Sequence, residues 1–366
     1  MSIEHRALEW LKRLGDETGA FQILHVETER MSASIFDKVR WDYVIETALR
    51  PFGFPVRLYV EFRDQITPQI ALEVLPRLKV AASGGIPLLC TRAISKRLAE
   101  MCREADVAYL DQAGNCRLTG PGLFIYISGK SAAEVRTKSK LNPYSIKSSR
   151  IVRVMLEKPG YSWQVQELAD EANVSMGLAS KVKEELLQNA LLVQEGKRVR
   201  IKNPKDMLAE WSEHYQVQGE EIHFYVMGKA KDIEERVGTL CEEKGYRYGL
   251  TEFSGAWRVA PMVRYERSTI YLAEGNGPLI LEDIQECLKA KSVETGSNLK
   301  LRLAPDDYVF YGGEKHHGLN VVSPIQLYLD LMKSKARGEE AAQEIYERCL
   351  SPRFDKAAGT YLEPDR

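Results

Sequence analysis

The chain has 366 residues, 44% hydrophobic and 28% charged, with 15 prolines; at about 150 residues per domain it is too long for one small module, and it is too apolar to be disordered or collagen-like. Fifty-one Lys and Arg stand against 52 Asp and Glu, and the net charge of -1 gives no bulk reason to expect nucleic acid or an anionic membrane. No apolar run approaches the ~18 residues of a membrane span, and the opening MSIEHRALEWLKRLGDE is no signal segment, so a cytoplasmic protein is expected.

Residues 1–50 read as helices: Leu8, Leu11 and Leu14 recur on one face, and FDKVRWDYVIETAL follows with helical or mixed spacing. After a Pro51–Pro55 turn, VRLYVEF predicts a strand, PQIALEVLPRLKVAAS a helix, IPLLCT a buried strand, and ISKRLAEMCREAD a helix started by Ser95. VAYLD and LFIYIS add two short strands. This alternation places an α/β domain at residues 1–134. Six cysteines (Cys90, Cys102, Cys116, Cys241, Cys287, Cys349) have no CxxC spacing and predict reduced, buried thiols with no zinc site.

Residues 135–206 read as a basic linker followed by a winged helix-turn-helix. Between Val135 and Leu156 there is no acidic residue, while Arg136, Lys138, Lys140, Lys147, Arg150 and Arg153 are all positive. Asn142-Pro143 breaks the chain there. IKSSRIVRVMLEK resumes a helical period, and Val165 to Lys202 divides into a short helix, a turn, a longer helix and a hairpin. Leu168, Ala169 and Ala172 brace the second helix, whose Ala179, Val182 and Leu186 point inward; Ser175 caps it. The opposite face carries Ser175, Met176, Gly177, Ser180 and Lys181, short or basic residues suited to a major groove. Lys147, Arg150, Lys197, Arg198 and Arg200 are expected on phosphates. From Val135 to Lys205 there are fourteen Lys or Arg against seven Asp or Glu, so the positive charge is local, and a fragment of this segment is expected to bind DNA unaided.

Residues 207–366 predict a second α/β domain: a helix over 207–215, a strand at IHFYVM, a helix at KDIEERVGTLCEEKG, a strand at STIYLAE, a helix at LILEDIQECLKAK, and strands at LKLRL and DYVFY. SPIQLYLDLMKS, with Ser323 at the N-cap and Pro324 at N1, predicts a helix. The whole is an α/β multidomain chain. No GxxxxGK[ST] or GxGxxG is present, and Ser254-Gly255 reverses the Gly-Ser order a nucleotidyltransferase site needs.

Tyr109-Leu110-Asp111 with Gly114-Asn115, Ile94-Ser95, Ser323-Pro324 with Gln326 to Asp330, and Arg337-Gly338-Glu339 together resemble the AbiEi-type antitoxins and transcriptional regulators of type IV toxin-antitoxin systems, over about residues 56 to 350. The resemblance implies a protein that binds double-stranded DNA, represses its own operon and antagonises a nucleotidyltransferase-like toxin without necessarily binding it. No catalytic residue, cofactor or metal is expected.

The first domain is also similar to restriction-endonuclease-like folds. LYVEFR places Glu61 and Arg63 two apart on one strand, with Asp42 as the preceding acid; magnesium hydrolysis needs two such carboxylates and a lysine to orient water. Arg63 stands where the lysine belongs, and a guanidinium that never gives up its proton is a poor substitute. An inactive relative of that fold is therefore expected, with a magnesium nuclease on Asp42, Glu61 and Arg63 as the alternative and a protein-docking module as a third class. Asp111 is expected to form a turn ahead of Gly114.

Overall fold

A computed structural model describes residues 3–31, 40–82, 84–130, 141–261 and 264–360. The chain forms two compact units, Met1–Lys140 with Leu187–Ala190, and Leu141–Leu186 with Leu191–Arg366. No helix among the described residues is long and apolar enough to cross a membrane.

In the first unit, α1 (Ile3–Thr18) is followed by β1 (Phe21–Met31), β2 (Arg40–Leu49), β3 (Phe54–Arg63), α2 (Pro68–Ala81), β4 (Ile86–Thr91), α3 (Lys96–Glu104), β5 (Ala108–Asp111), β6 (Cys116–Gly120) and β7 (Leu123–Ile127). The seven strands lie side by side in sequence order. The pairs β1–β2 and β2–β3 are antiparallel, β3–β4 and β4–β5 parallel across the helical crossovers, and β5–β6 and β6–β7 antiparallel. One face packs on α1 through Trp10, Leu11 and Leu14 with Tyr43, Ile45, Leu58 and Val60. The other buries Trp41, Val44 and Leu89 under Leu75, Leu78 and Leu98 of α2 and α3.

The expectation of helices through residue 50 is corrected: only α1 is helical, and β1 and β2 are strands. Trp41 and Val44 face one layer while Tyr43 and Ile45 face the other. A strand covered on both sides loses its alternation and then resembles a helix in periodicity. The predicted helix starts fall in place: Thr67 accepts the Ile70 amide ahead of Pro68, and Ser95 accepts that of Leu98. All six cysteines are free, and burial pushes the Cys102 and Cys116 thiols up, to about 12 and about 11. Cys287 is exposed, against expectation.

The second unit begins with α4 (Ile146–Glu157), β8 (Trp163–Gln164), α5 (Val165–Glu171), α6 (Met176–Gln188), β9 (Leu192–Glu195) and β10 (Arg198–Ile201), the three strands forming a small sheet in the order β8-β10-β9. It continues through α7 (Pro204–His214), β11 (Glu221–Tyr225), α8 (Ala230–Lys244), β12 (Tyr248–Leu250), α9 (Glu252–Val259), β13 (Ser268–Ala273), α10 (Gly277–Leu288), β14 (Lys291–Ser292), β15 (Leu299–Ala304), β16 (Glu314–His316), β17 (Leu319–Val321), α11 (Pro324–Lys333), α12 (Gly338–Ile345) and α13 (Ser351–Thr360). The larger sheet runs β14-β11-β15-β13-β12-β17-β16, its core centred on Ile270, Leu272, Leu299 and Leu301 between the helices. Ser323 caps α11 through the Gln326 amide, as its sequence predicts. DYVFY is not a strand but a 3-10 turn, Asp307–Phe310, because the Asp306 carboxylate caps the Tyr308 amide.

The segment read as a basic linker contains a core helix. Asn142 closes a turn by accepting the Tyr144 amide, and α4 buries Ile151, Val152, Val154, Met155 and Leu156, with Arg153 among them. Arg136, Lys138 and Lys140 lie outside the described residues.

Candidate nucleic-acid interface

The candidate interface is built on α5, α6 and the β9–β10 hairpin. Leu168, Ala169 and Ala172 of the first helix and turn are buried, as are Ala179, Val182 and Leu186, so α6 has one buried inner face and its other side is exposed. Asn173 turns the chain between the helices at φ 47, a conformation that an Asn tolerates better than most side chains. The Ser175 hydroxyl accepts the Leu178 amide and starts α6.

Ser175, Met176, Gly177, Ser180 and Lys181 are all exposed on the first turns of α6. Met176 and Gly177 lie one turn below Ser180 and Lys181, so the four share a face. A methyl group added at Gly177 meets no protein atom within 4 Å. Gly177→Ala is therefore expected to stabilise the fold slightly, by up to about 1 kcal/mol. If DNA approaches this face closely, the same change weakens DNA binding, so unfolding and binding titrations on this variant should move in opposite directions.

The phosphate contacts expected from the sequence fare unequally. Lys147 is exposed on α4, and Lys197 is exposed at the tip of the hairpin. Arg198 donates to Ser162 O at 2.5 Å and to both Glu167 oxygens at 3.0 Å, clamping the hairpin to α5. Glu167 also accepts the Gln164 amide at 2.9 Å; that bond, and then Arg198, hold its carboxyl below the ordinary range. Arg200 pairs with Glu195 at 2.7 Å. Arg150 faces inward: it bonds Asp306 at 2.8 Å and Asn173 O at 3.1 Å, and stacks on Tyr308. Its charge is spent joining the α5–α6 turn to the turn after β15, and it leaves the set of expected phosphate ligands.

That joint has further members that the sequence did not disclose. The Tyr308 hydroxyl donates to Glu171 O at 2.7 Å, Tyr311 donates to the Glu171 carboxylate, and Lys158 pairs with it at 2.8 Å. Arg153, 5% exposed, donates to Gln326 Oε1 at 2.5 Å and lies over Trp211. The Gln326 amide donates to the Tyr215 hydroxyl at 2.8 Å, and Tyr215 donates to Asp330 at 2.7 Å. Asp330 also accepts from Tyr271 at 3.0 Å and Thr251 at 2.5 Å, with Arg302 at 3.5 Å. A buried polar chain therefore runs from α4 to the centre of the larger sheet.

In the first unit, Asp42 and Glu61 lie on the neighbouring strands β2 and β3, so Asp42 is on a strand where the sequence suggested a helix. Asp42 Oδ2 accepts the Phe62 amide at 2.6 Å, and Arg63 closes on Glu61 at 2.7 Å. Burial, followed by the charge of Asp42, raises the Glu61 carboxyl, with Arg63 opposing. A carboxyl raised in the folded state favours folding below its unfolded pKa, and that advantage disappears as pH rises through the folded value. Glu61→Gln is accordingly expected to raise the unfolding midpoint of this unit at neutral pH and leave it nearly unchanged in acid, as a pair of melts at the two pH values would reveal. Asp111 forms the expected turn, accepting the Asn115 amide at 2.8 Å and that of Ile94 at 3.3 Å. No group of three or more potential metal-ligating side chains occurs among the described residues.

Residues 200–351 match the model of a family described as transcriptional regulator, AbiEi antitoxin, type IV toxin-antitoxin system. The matched stretch opens in β10 and closes at the start of α13. A regulator family gives the nuclease alternative no support. No curated protein and no solved structure matches the chain.

Proposed function

We propose, from the match of residues 200–351 to an AbiEi antitoxin family, that this protein is a DNA-binding transcriptional regulator of a type IV toxin-antitoxin system. In this reading α4 to α6 with β8 to β10 are a winged helix-turn-helix that represses the protein's own operon in the cytoplasm. The observation that carries it is the outer face of α6, where Ser175, Met176, Gly177, Ser180 and Lys181 stand exposed over a fully packed inner face. Such a helix suits a major groove, with its first turns against base edges. The first unit is read as a restriction-endonuclease-like sheet without activity, since Asp42 and Glu61 are engaged with the Phe62 amide and Arg63. A nucleotidyltransferase-like toxin is the partner whose effect the protein opposes.

Ion pairing moderates the electrostatics. With Arg150 internal, and Arg198 and Arg200 in ion pairs, Lys147 and Lys197 remain as phosphate contacts and Lys181 adds a cation in the groove, and three to four neutralised charges give a log-log salt slope of roughly -3 to -4. An anisotropy titration of the full chain on DNA from upstream of its gene measures that slope. A value near zero removes the DNA-binding reading.

A further inference from the structure

The larger sheet of the second unit carries a pocket of about 630 Å³, well away in sequence from α5 and α6 and within the size range of small-molecule sites. Its floor is a fixed set of charges on β11, β15 and α9. Glu252 accepts from Thr269 at 3.1 Å, Lys300 at 2.8 Å and Arg302 at 2.7 Å. Glu221 accepts from Arg302 at 2.6 Å and keeps about a third of its side chain exposed to the pocket. Burial works against ionisation of both carboxyls, but their cationic neighbours override it and hold both below the ordinary range.

Glu252 sits at φ 48, a left-handed backbone that side chains rarely adopt and that persists where surrounding contacts enforce it, often at ligand sites. The rim has the opposite character. Arg264 and Arg267 come from the segment before β13, and Lys333, Lys335 and Arg337 from the end of α11 and the turn after it, with Glu266 the one carboxylate among the rim residues described here. Arg267 bonds Ser297 O, and Arg337 pairs with Glu340. Among the described residues Arg264, Lys333 and Lys335 have no ion-pair partner.

A simple inorganic anion suits the rim but leaves the acceptors of Glu221 and Glu252 below unused. A ligand with hydroxyl or amino donors at one end and phosphates at the other satisfies both, and Phe253 and Tyr265, which also line the pocket, offer ring faces for a base. We propose that this pocket binds a nucleotide, its base or ribose donors on Glu221 and Glu252 and its phosphates on Arg264, Lys333 and Lys335. The proposal does not depend on α6 binding DNA.

Calorimetric titration of the full chain with each of the four ribonucleoside triphosphates, in EDTA, tests it, with inorganic triphosphate as a separate arm. At least one nucleotide is expected to bind saturably, and more tightly than triphosphate. Lys333→Gln with Lys335→Gln should weaken that binding tenfold or more. Arg264→Gln, in the segment before β13, should do the same, whereas Lys181→Gln on α6 should not. The proposal is overturned if no nucleotide binds, if triphosphate binds as tightly as the nucleotides, or if both sets of rim variants bind like the parent.

Discussion

Asp330→Ala is expected to cost the second unit about 3–5 kcal/mol, the range for removing one partner of a buried charged cluster. Asp330 is fully buried and accepts from the hydroxyls of Tyr215, Tyr271 and Thr251. Its loss leaves all three hydroxyls without that acceptor and takes one of the three anions around Arg302, which is itself 1% exposed. Tyr215→Phe deletes one hydroxyl from the same cluster and should cost nearer 1 kcal/mol. Urea unfolding of the two variants makes the comparison. If Asp330→Ala costs no more than Tyr215→Phe, the cluster is not acting as a unit.

Reversing two charges at the candidate interface should have the largest effect on DNA. Lys181→Glu combined with Lys197→Glu removes one groove cation and one phosphate contact and adds repulsion, which lowers affinity by roughly 10²–10³-fold near physiological salt and flattens the salt slope by about 2. Both lysines are exposed, so the melting curve should hardly change. Retained DNA binding would place the interface elsewhere on the molecule.

The sequence disclosed what is fixed locally. Ser95 and Ser323 announced their helices because a cap acts within three residues of itself, and the faces of α6 were readable because 3.6-residue periodicity needs no knowledge of the rest of the fold. Strand β2 was not readable, since helices cover both of its faces and its apolar residues run together. Strand β12 is three residues long and offers too little pattern to detect. Charge was the least legible property. Arg150 and Arg153 counted as two cations of a basic stretch, yet their partners, Asp306 and Gln326, lie more than 150 residues downstream. The pocket above β11 and β15 was hidden for the same reason: Glu221, Glu252, Lys300 and Arg302 meet only when the sheet assembles.

The burial of α4 bears on how this protein can be divided. A fragment of residues 135–206 was expected to bind DNA unaided, but cutting there strips Arg153 of Gln326 and Trp211, Glu171 of Tyr311, and Arg150 of Asp306. Such a fragment would expose an apolar helix with two unmatched guanidinium groups and should aggregate. A piece that begins at Leu141 and runs to the end of the chain keeps all of these partners. Transplanting this part of the chain would therefore mean moving everything from Leu141 onward as one inheritance, or redesigning the exposed face of α6 alone in place.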